Sequence, residues 1–176
     1  MSEGSGAPSR MSEVPNGPHA ALTTRFCQLV GVRLPVVQTG MGWVSGATLT
    51  AATANAGGLG ILASATMTFD ELDDAITRVA AATDAPFGVN LRADAPDATR
   101  RIDLLIEKGV KVGSFALAPN QDLIAKLKDA GVVVMPTIGA RRHAEKVAQW
   151  GVDAVIPIRQ SRPIVALRIA GPPCYP

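Results

Sequence analysis

Apolar residues along this chain alternate between two textures. Short runs dense in Val, Ile and Leu are each followed by a longer stretch with apolar positions every third or fourth residue. The first texture predicts buried strands and the second amphipathic helices. LPVVQ, GLGILAS, PFGVN, VKVGSFA, VVVMPTI and VDAVI, from Leu34 to Ile156, read as six strands. GATLTAATANAG, TFDELDDAITRVAAAT, APDATRRIDLLIEKG, NQDLIAKLKDAG and ARRHAEKVAQWG read as the helices between them. The clearest helix follows Thr68, with Glu71 completing a capping box and Phe69, Leu72, Ile76 and Val79 on one face. Asp94 and Asn120 are expected caps, and a proline falls in the first turn after Asp94. Gly109, Gly131 and Gly151 each close a helix and lead into a valine-rich strand.

Strands and helices in strict alternation mean repeated βα units and a parallel sheet. Short, even units predict an α/β fold of the (β/α)8 TIM-barrel type. Here that means about the first six βα units, an incomplete barrel, with a flavodoxin-like open sheet as the alternative. PVVQTGMGWVSGATL also approaches the dinucleotide fingerprint, through Gly40, Gly42 and Ser45. That fingerprint needs an acidic residue at the end of the second strand, where this chain reads ILASAT, and a glycine turn that opens the helix directly. Neither condition is met.

Composition narrows the function classes. A net charge of +2 with scattered basic residues gives no footprint for nucleic acid. No apolar run reaches the roughly 18–20 residues that span a membrane. Cys27 and Cys174 stand outside metal-type spacing, so no metal is expected, and a reduced, cytoplasmic setting follows. Residues 1–20 lack periodicity and read as a disordered leader, with Met11 an equally good start. Residues 21–156 form the barrel-type domain.

The motifs carry a resemblance. Gln38-Thr39-Gly40-Met41, then Asn55-Ala56-Gly57-Gly58-Leu59-Gly60, then Pro86-Phe87-Gly88-Val89-Asn90 resemble the N-terminal half of the nitronate monooxygenase family. That family, formerly called 2-nitropropane dioxygenase, includes FMN-dependent enoyl reductases. VVVMPTI and WGVDAVI also match, and the resemblance covers Leu34 to Ile156. Thr39-Gly40 stands where the family has Ala-Pro.

The resemblance implies an FMN-dependent oxidoreductase acting on a small-molecule substrate. One activity is oxidation of alkyl nitronates with oxygen. The alternative is reduction of enoyl thioesters, including those of lipid or steroid breakdown. A fragment without flavin is a third reading. Gly40 and Met41 are implied against the flavin ring, Asn90 as a hydrogen-bonding partner at the end of strand three, and Thr137 as a further contact at the end of strand five. From the residues alone, Met41 reads first as core, and Asn90 equally as a cap. Gly57, Gly58 and Gly60 read as structural, and Phe87 and Phe115 as core.

The chain also departs from the family. The family's strand six leads into a glycine-rich loop bearing a catalytic histidine, and two further units grip the FMN phosphate. This chain continues PIRQSRPIVALRIAGPPCYP. Its histidines are His19, in the leader, and His143, expected on an outer helix remote from the strand C-termini, so no catalytic residue is assigned. Residues 157–176 read as an aberrant Pro/Arg-rich tail of the kind a frameshift produces, or as the natural tail of a short relative. A truncated, inactive form is the expectation, self-associating through open sheet edges.

Overall fold

The computed structural model describes residues 20–116, 120–159 and 162–163. Six parallel strands stand side by side in chain order: β1 (Val37–Gln38), β2 (Leu59–Ala63), β3 (Phe87–Leu91), β4 (Val112–Phe115), β5 (Val133–Ile138) and β6 (Ile156–Arg159). A short β7 (Arg162–Pro163) folds back antiparallel on β6. Sequential order decides between the candidate architectures. A dinucleotide fold or a flavodoxin-like sheet reverses its strand order near the first strand, whereas a barrel winds in one direction. This is a half-barrel.

Between the strands lie α2 (Ala47–Asn55), α3 (Phe69–Ala82), α4 (Ala98–Glu107), α5 (Gln121–Asp129) and α6 (Arg141–Gln149). The expected capping box is present: the Thr68 hydroxyl accepts from the Glu71 N–H, and the Glu71 carboxylate accepts from the Thr68 N–H at 2.7 Å. The Thr68 N–H first, and then the Thr68 hydroxyl donating to the same carboxylate at 3.0 Å, hold the Glu71 carboxyl below its ordinary pKa. Asn120 caps α5 through the Leu123 N–H at 2.8 Å. Gly109, Gly131 and Gly151 follow helix ends at φ of +67°, +74° and +81°, where a side chain would be strained.

Two layers of core result. Leu62, Val89, Leu91, Phe115 and Val134 point outward and pack with helix residues such as Leu72, Ile76, Leu105 and Ile124. Leu59, Ile61, Val112, Val133 and Met135 point inward. Their lower end is plugged by α1 (Arg25–Val30), which contributes Phe26, Cys27 and Val30. The hydrophobic pattern does not announce α1, because six residues are too few to display a helical period.

Three expectations are corrected. Asp94 does not cap α4: the cap position is Asp97, Pro96 lies outside the helix, and Asp94 takes two hydrogen bonds from Arg92, at 3.0 and 2.6 Å. That pairing, the hydrogen bond first, holds the Asp94 carboxyl below its ordinary pKa. Strand six is not VDAVI. Asp153 instead turns its carboxylate onto the Val134 N–H (2.9 Å) and Lys128, which fixes the chain before the strand, and β6 runs across Pro157 to Arg159. Proline is tolerated there because Ile138 pairs with Pro157 at the end of the β5–β6 ladder. Finally, only two residues separate the end of β5 from the start of α6. His143, in its first turn, therefore stands at the same end of the sheet as the strand C-termini and not on the far side.

The expected leader lies outside the described residues apart from Ala20, as does the tail apart from 157–159 and 162–163. Among the described residues, no helix is long and apolar enough to cross a membrane.

Candidate functional site

The loop from Thr39 to Gly46, after β1, is built around one hydroxyl. Ser45, 1% exposed, donates from Oγ to the Thr39 carbonyl at 3.0 Å. It accepts from the Met41 N–H at 2.9 Å and from Gln38 Nε2 at 2.8 Å. That fills the capacity of a hydroxyl, one donor and two lone pairs. The Ser45 carbonyl accepts in turn from the Ala63 N–H at 3.0 Å, which ties the loop to the end of β2. Ser45, which mimicked the third position of a phosphate loop, is the organiser of a different turn. Trp43 crosses this turn at φ +65° and is 89% exposed. A left-handed backbone at a bulky residue marks local strain.

Next to the loop lies the end of β3. Asn90 pairs in register with Ala63 of β2 and with Ser114 of β4, and Ser114 pairs with Met135 of β5. Ile61, Val112, Val133 and Met135 face the barrel interior, so by the two-residue period of a strand Asn90, Ser114 and Thr137 share that face. Thr137 sits one pleat repeat beyond the Asn90–Ser114–Met135 row and is half-buried. Gly40 reaches this row from the loop. A Cβ there would stand 2.6 Å from Asn90 Cβ and 3.0 Å from its Nδ2, so only glycine lets the backbone lie against the carboxamide. The structure thus brings Gly40 and Asn90 into contact. Met41 follows at the rim, 41% exposed, and is not core.

The end of β3 is held from behind. The Ser64 hydroxyl donates to the Asn90 carbonyl at 2.6 Å. Arg101, 9% exposed, donates to the carbonyls of Ser64 and Met67 and to the Asp97 carboxylate, each at 2.8 Å. A buried guanidinium with these partners locks the turn after β2. Neither Ser64 nor Arg101 stands out in the sequence, since their role depends on a turn and a helix meeting 37 residues apart.

Within this ordered surface, two buried polar atoms on the interior face have no hydrogen-bond partner among the described residues: Asn90 Oδ1 and Ser114 Oγ. Gln38 Oε1 and Thr50 Oγ1 share that condition, Thr50 at the packing contact of α2 with β2. Buried polar atoms are seldom left unpaired, and a pair on adjacent strands suits a ligand with acceptors and donors along one edge. A flat ring lying on glycine backbone, its polar edge toward Asn90, fits these residues. The roughly 710 Å3 cavity between the loop, α2 and α3 is a poorer candidate. Its acidic groups are already engaged, Glu71 with Thr68 and Asp74 with Arg78. Among the described residues no His, Cys, Asp or Glu cluster could hold a metal.

The family model for nitronate monooxygenase matches residues 23–100 and 97–158. A protein of Rhodococcus jostii is 69% identical over 137 residues, 78% of this chain and 39% of the relative; its name is (3aS,4S,5R,7aS)-5-hydroxy-7a-methyl-1-oxo-octahydro-1H-indene-4-carboxyl-CoA dehydrogenase. FabK of Thermotoga maritima superposes with a TM-score of 0.73 at 38% identity, over 76% of this chain and 43% of that one. Nitroalkane oxidase of Streptomyces ansochromogenes gives 0.69 at 30% identity, over 76% and 48%. The chain spans less than half the length of each of these three proteins.

Proposed function

Because this chain belongs to the nitronate monooxygenase family, we propose that it is the ring-binding part of an FMN-dependent oxidoreductase. The observation that carries this reading is the unpartnered Asn90 Oδ1, on the interior face beside the Gly40 backbone. Bound there, FMN would supply the electron chemistry, accepting or donating a hydride equivalent. This chain's residues would position it. Gly40 gives the ring a backbone surface, Met41 a polarizable apolar contact at the rim, and Asn90 and Thr137 hydrogen bonds from the interior face. The remaining length of the relatives would bring the phosphate grip and the histidine loop that the resemblance implies.

The substrate we propose is a coenzyme A thioester of a fused-ring carboxylic acid, dehydrogenated by the whole protein. The 69% identity to the Rhodococcus jostii dehydrogenase supports it. Nitronate oxidation is the second reading, favoured by the family match and by the likeness to nitroalkane oxidase. The two separate in an assay of the whole protein. On the first reading a carbocyclic hydroxyacyl-CoA reduces an artificial electron acceptor and a nitronate drives little oxygen uptake. The reverse result selects the second. A cytoplasmic setting accords with acyl-CoA chemistry.

Two expected outcomes concern the chain alone. With ring contacts but no phosphate grip, flavin binding is weak, so the purified chain is colourless after gel filtration. A stoichiometric absorption band at about 450 nm would contradict the placing of the phosphate grip outside this chain. Second, β1 lies at one end of the sheet order, and Val36 beside it is 56% exposed. An apolar edge invites pairing with another chain. Sedimentation equilibrium should find self-association that Val36→Lys reduces; a concentration-independent monomer would refute it.

A further inference from the structure

We propose that Ser114 is a further flavin-contacting residue: its hydroxyl and the Asn90 carboxamide together take the hydrogen-bonding edge of the ring. The inference rests on the flavin reading above and extends it to a residue that no motif of the chain marks. Ser114 is fully buried, yet its hydroxyl finds no partner among the described residues. Neither neighbour in register engages it. On one side stands Asn90, whose own Oδ1 is unpartnered, and on the other Met135, which offers only an apolar thioether. Alanine would fill the same space without desolvating a hydroxyl, so packing gives no reason for serine here. An unpaired buried hydroxyl weakens the empty fold, and a ligand that pairs it recovers the loss on binding.

The Asn90 carboxamide beside Ser114 is held in a fixed position. Gly40 lies against Asn90 with no room for a side chain between them. Ser64 and, through it, Arg101 fix the Asn90 backbone, so the carboxamide is presented from a rigid strand end. Below the pair the interior face is apolar, with Ile61, Val112 and Val133. A planar ring with apolar faces and alternating donors and acceptors along one edge satisfies both orphan atoms at once.

The experiment uses the whole chain and riboflavin, which carries the ring and its ribityl chain without the phosphate and so reports binding independent of the phosphate grip. Riboflavin fluorescence is titrated with wild type, Ser114→Ala and Asn90→Ala, and the melting temperature of each ligand-free protein is recorded by circular dichroism. The proposal expects Ser114→Ala to weaken riboflavin about threefold to tenfold, the loss of one hydrogen bond. It expects the ligand-free melting temperature to stay level or rise by a few degrees, because an unsatisfied polar group has been removed. A structural serine would show the opposite, a lower melting temperature, and that result overturns the proposal. Unchanged binding by Ser114→Ala, with weakened binding by Asn90→Ala, overturns the role of Ser114 and leaves the flavin reading standing. No saturable binding by wild type, or none lost in Asn90→Ala, overturns both.

Discussion

Gly60→Ala should cost the fold about 3 kcal/mol, the upper end of ordinary overpacking and a large share of a domain's stability. Gly60 lies in β2 where α2 crosses it. A Cβ built there stands 2.2 Å from the Thr50 carbonyl oxygen and 2.9 Å from the Thr50 Cα. Both contacts are backbone, so no side chain can swing aside. Relief requires moving α2 off the sheet, and with it Ala51 and Ala54, 5% and 2% exposed. Gly109→Ala is the control. It too replaces a glycine, but at a helix end with φ +67° and open space around the new Cβ, so only backbone strain of about 1 kcal/mol is expected. Urea denaturation of the two variants measures the difference. Equal midpoints would mean that α2 does not rest on β2 as described.

The sequence reading and the structure agree where local signals and tertiary demands coincide. The α3 capping box, the Asn120 cap and the three helix-closing glycines are spelled out by residue type and bring their own geometry. The Ala-Gly-Gly-Leu-Gly run reads as structural, and at Gly60 the close approach of α2 is the cause. Disagreements arise where a distant group decides. Asp94 has the chemistry of a cap, but Arg92 is close enough to claim it. VDAVI has the texture of a strand, yet Asp153 bonds to Val134 and Lys128, and the regular β5–β6 ladder starts at Ile156.

The candidate site follows the same division. Gly40 and Asn90 belong to motifs and were legible by resemblance, while their contact was not, since 50 residues separate them. Ser114 was hidden in VKVGSFA, a strand judged by its apolar residues. The usable signal was a polar residue at an inward position of an otherwise apolar strand. Only the register, Asn90 opposite Ser114, shows what that position faces. Met41 read as either core or ligand contact, and its exposure at the rim removes the first option.

The most direct test of the central claim, that this chain carries the ring side of a flavin site, is the flavin content of a completed barrel. Residues 20–158 are joined to the part of the Rhodococcus jostii relative that this chain does not span, and the purified chimera is examined by absorption and by reversed-phase separation of released cofactor. The account predicts a yellow protein holding one FMN per chain. Asn90→Ala in that chimera should weaken FMN by about 1–3 kcal/mol, roughly five- to 150-fold, because a buried group of the ring loses its partner. A chimera that folds cooperatively but stays colourless with added FMN, or one whose FMN affinity is indifferent to Asn90→Ala, would contradict it.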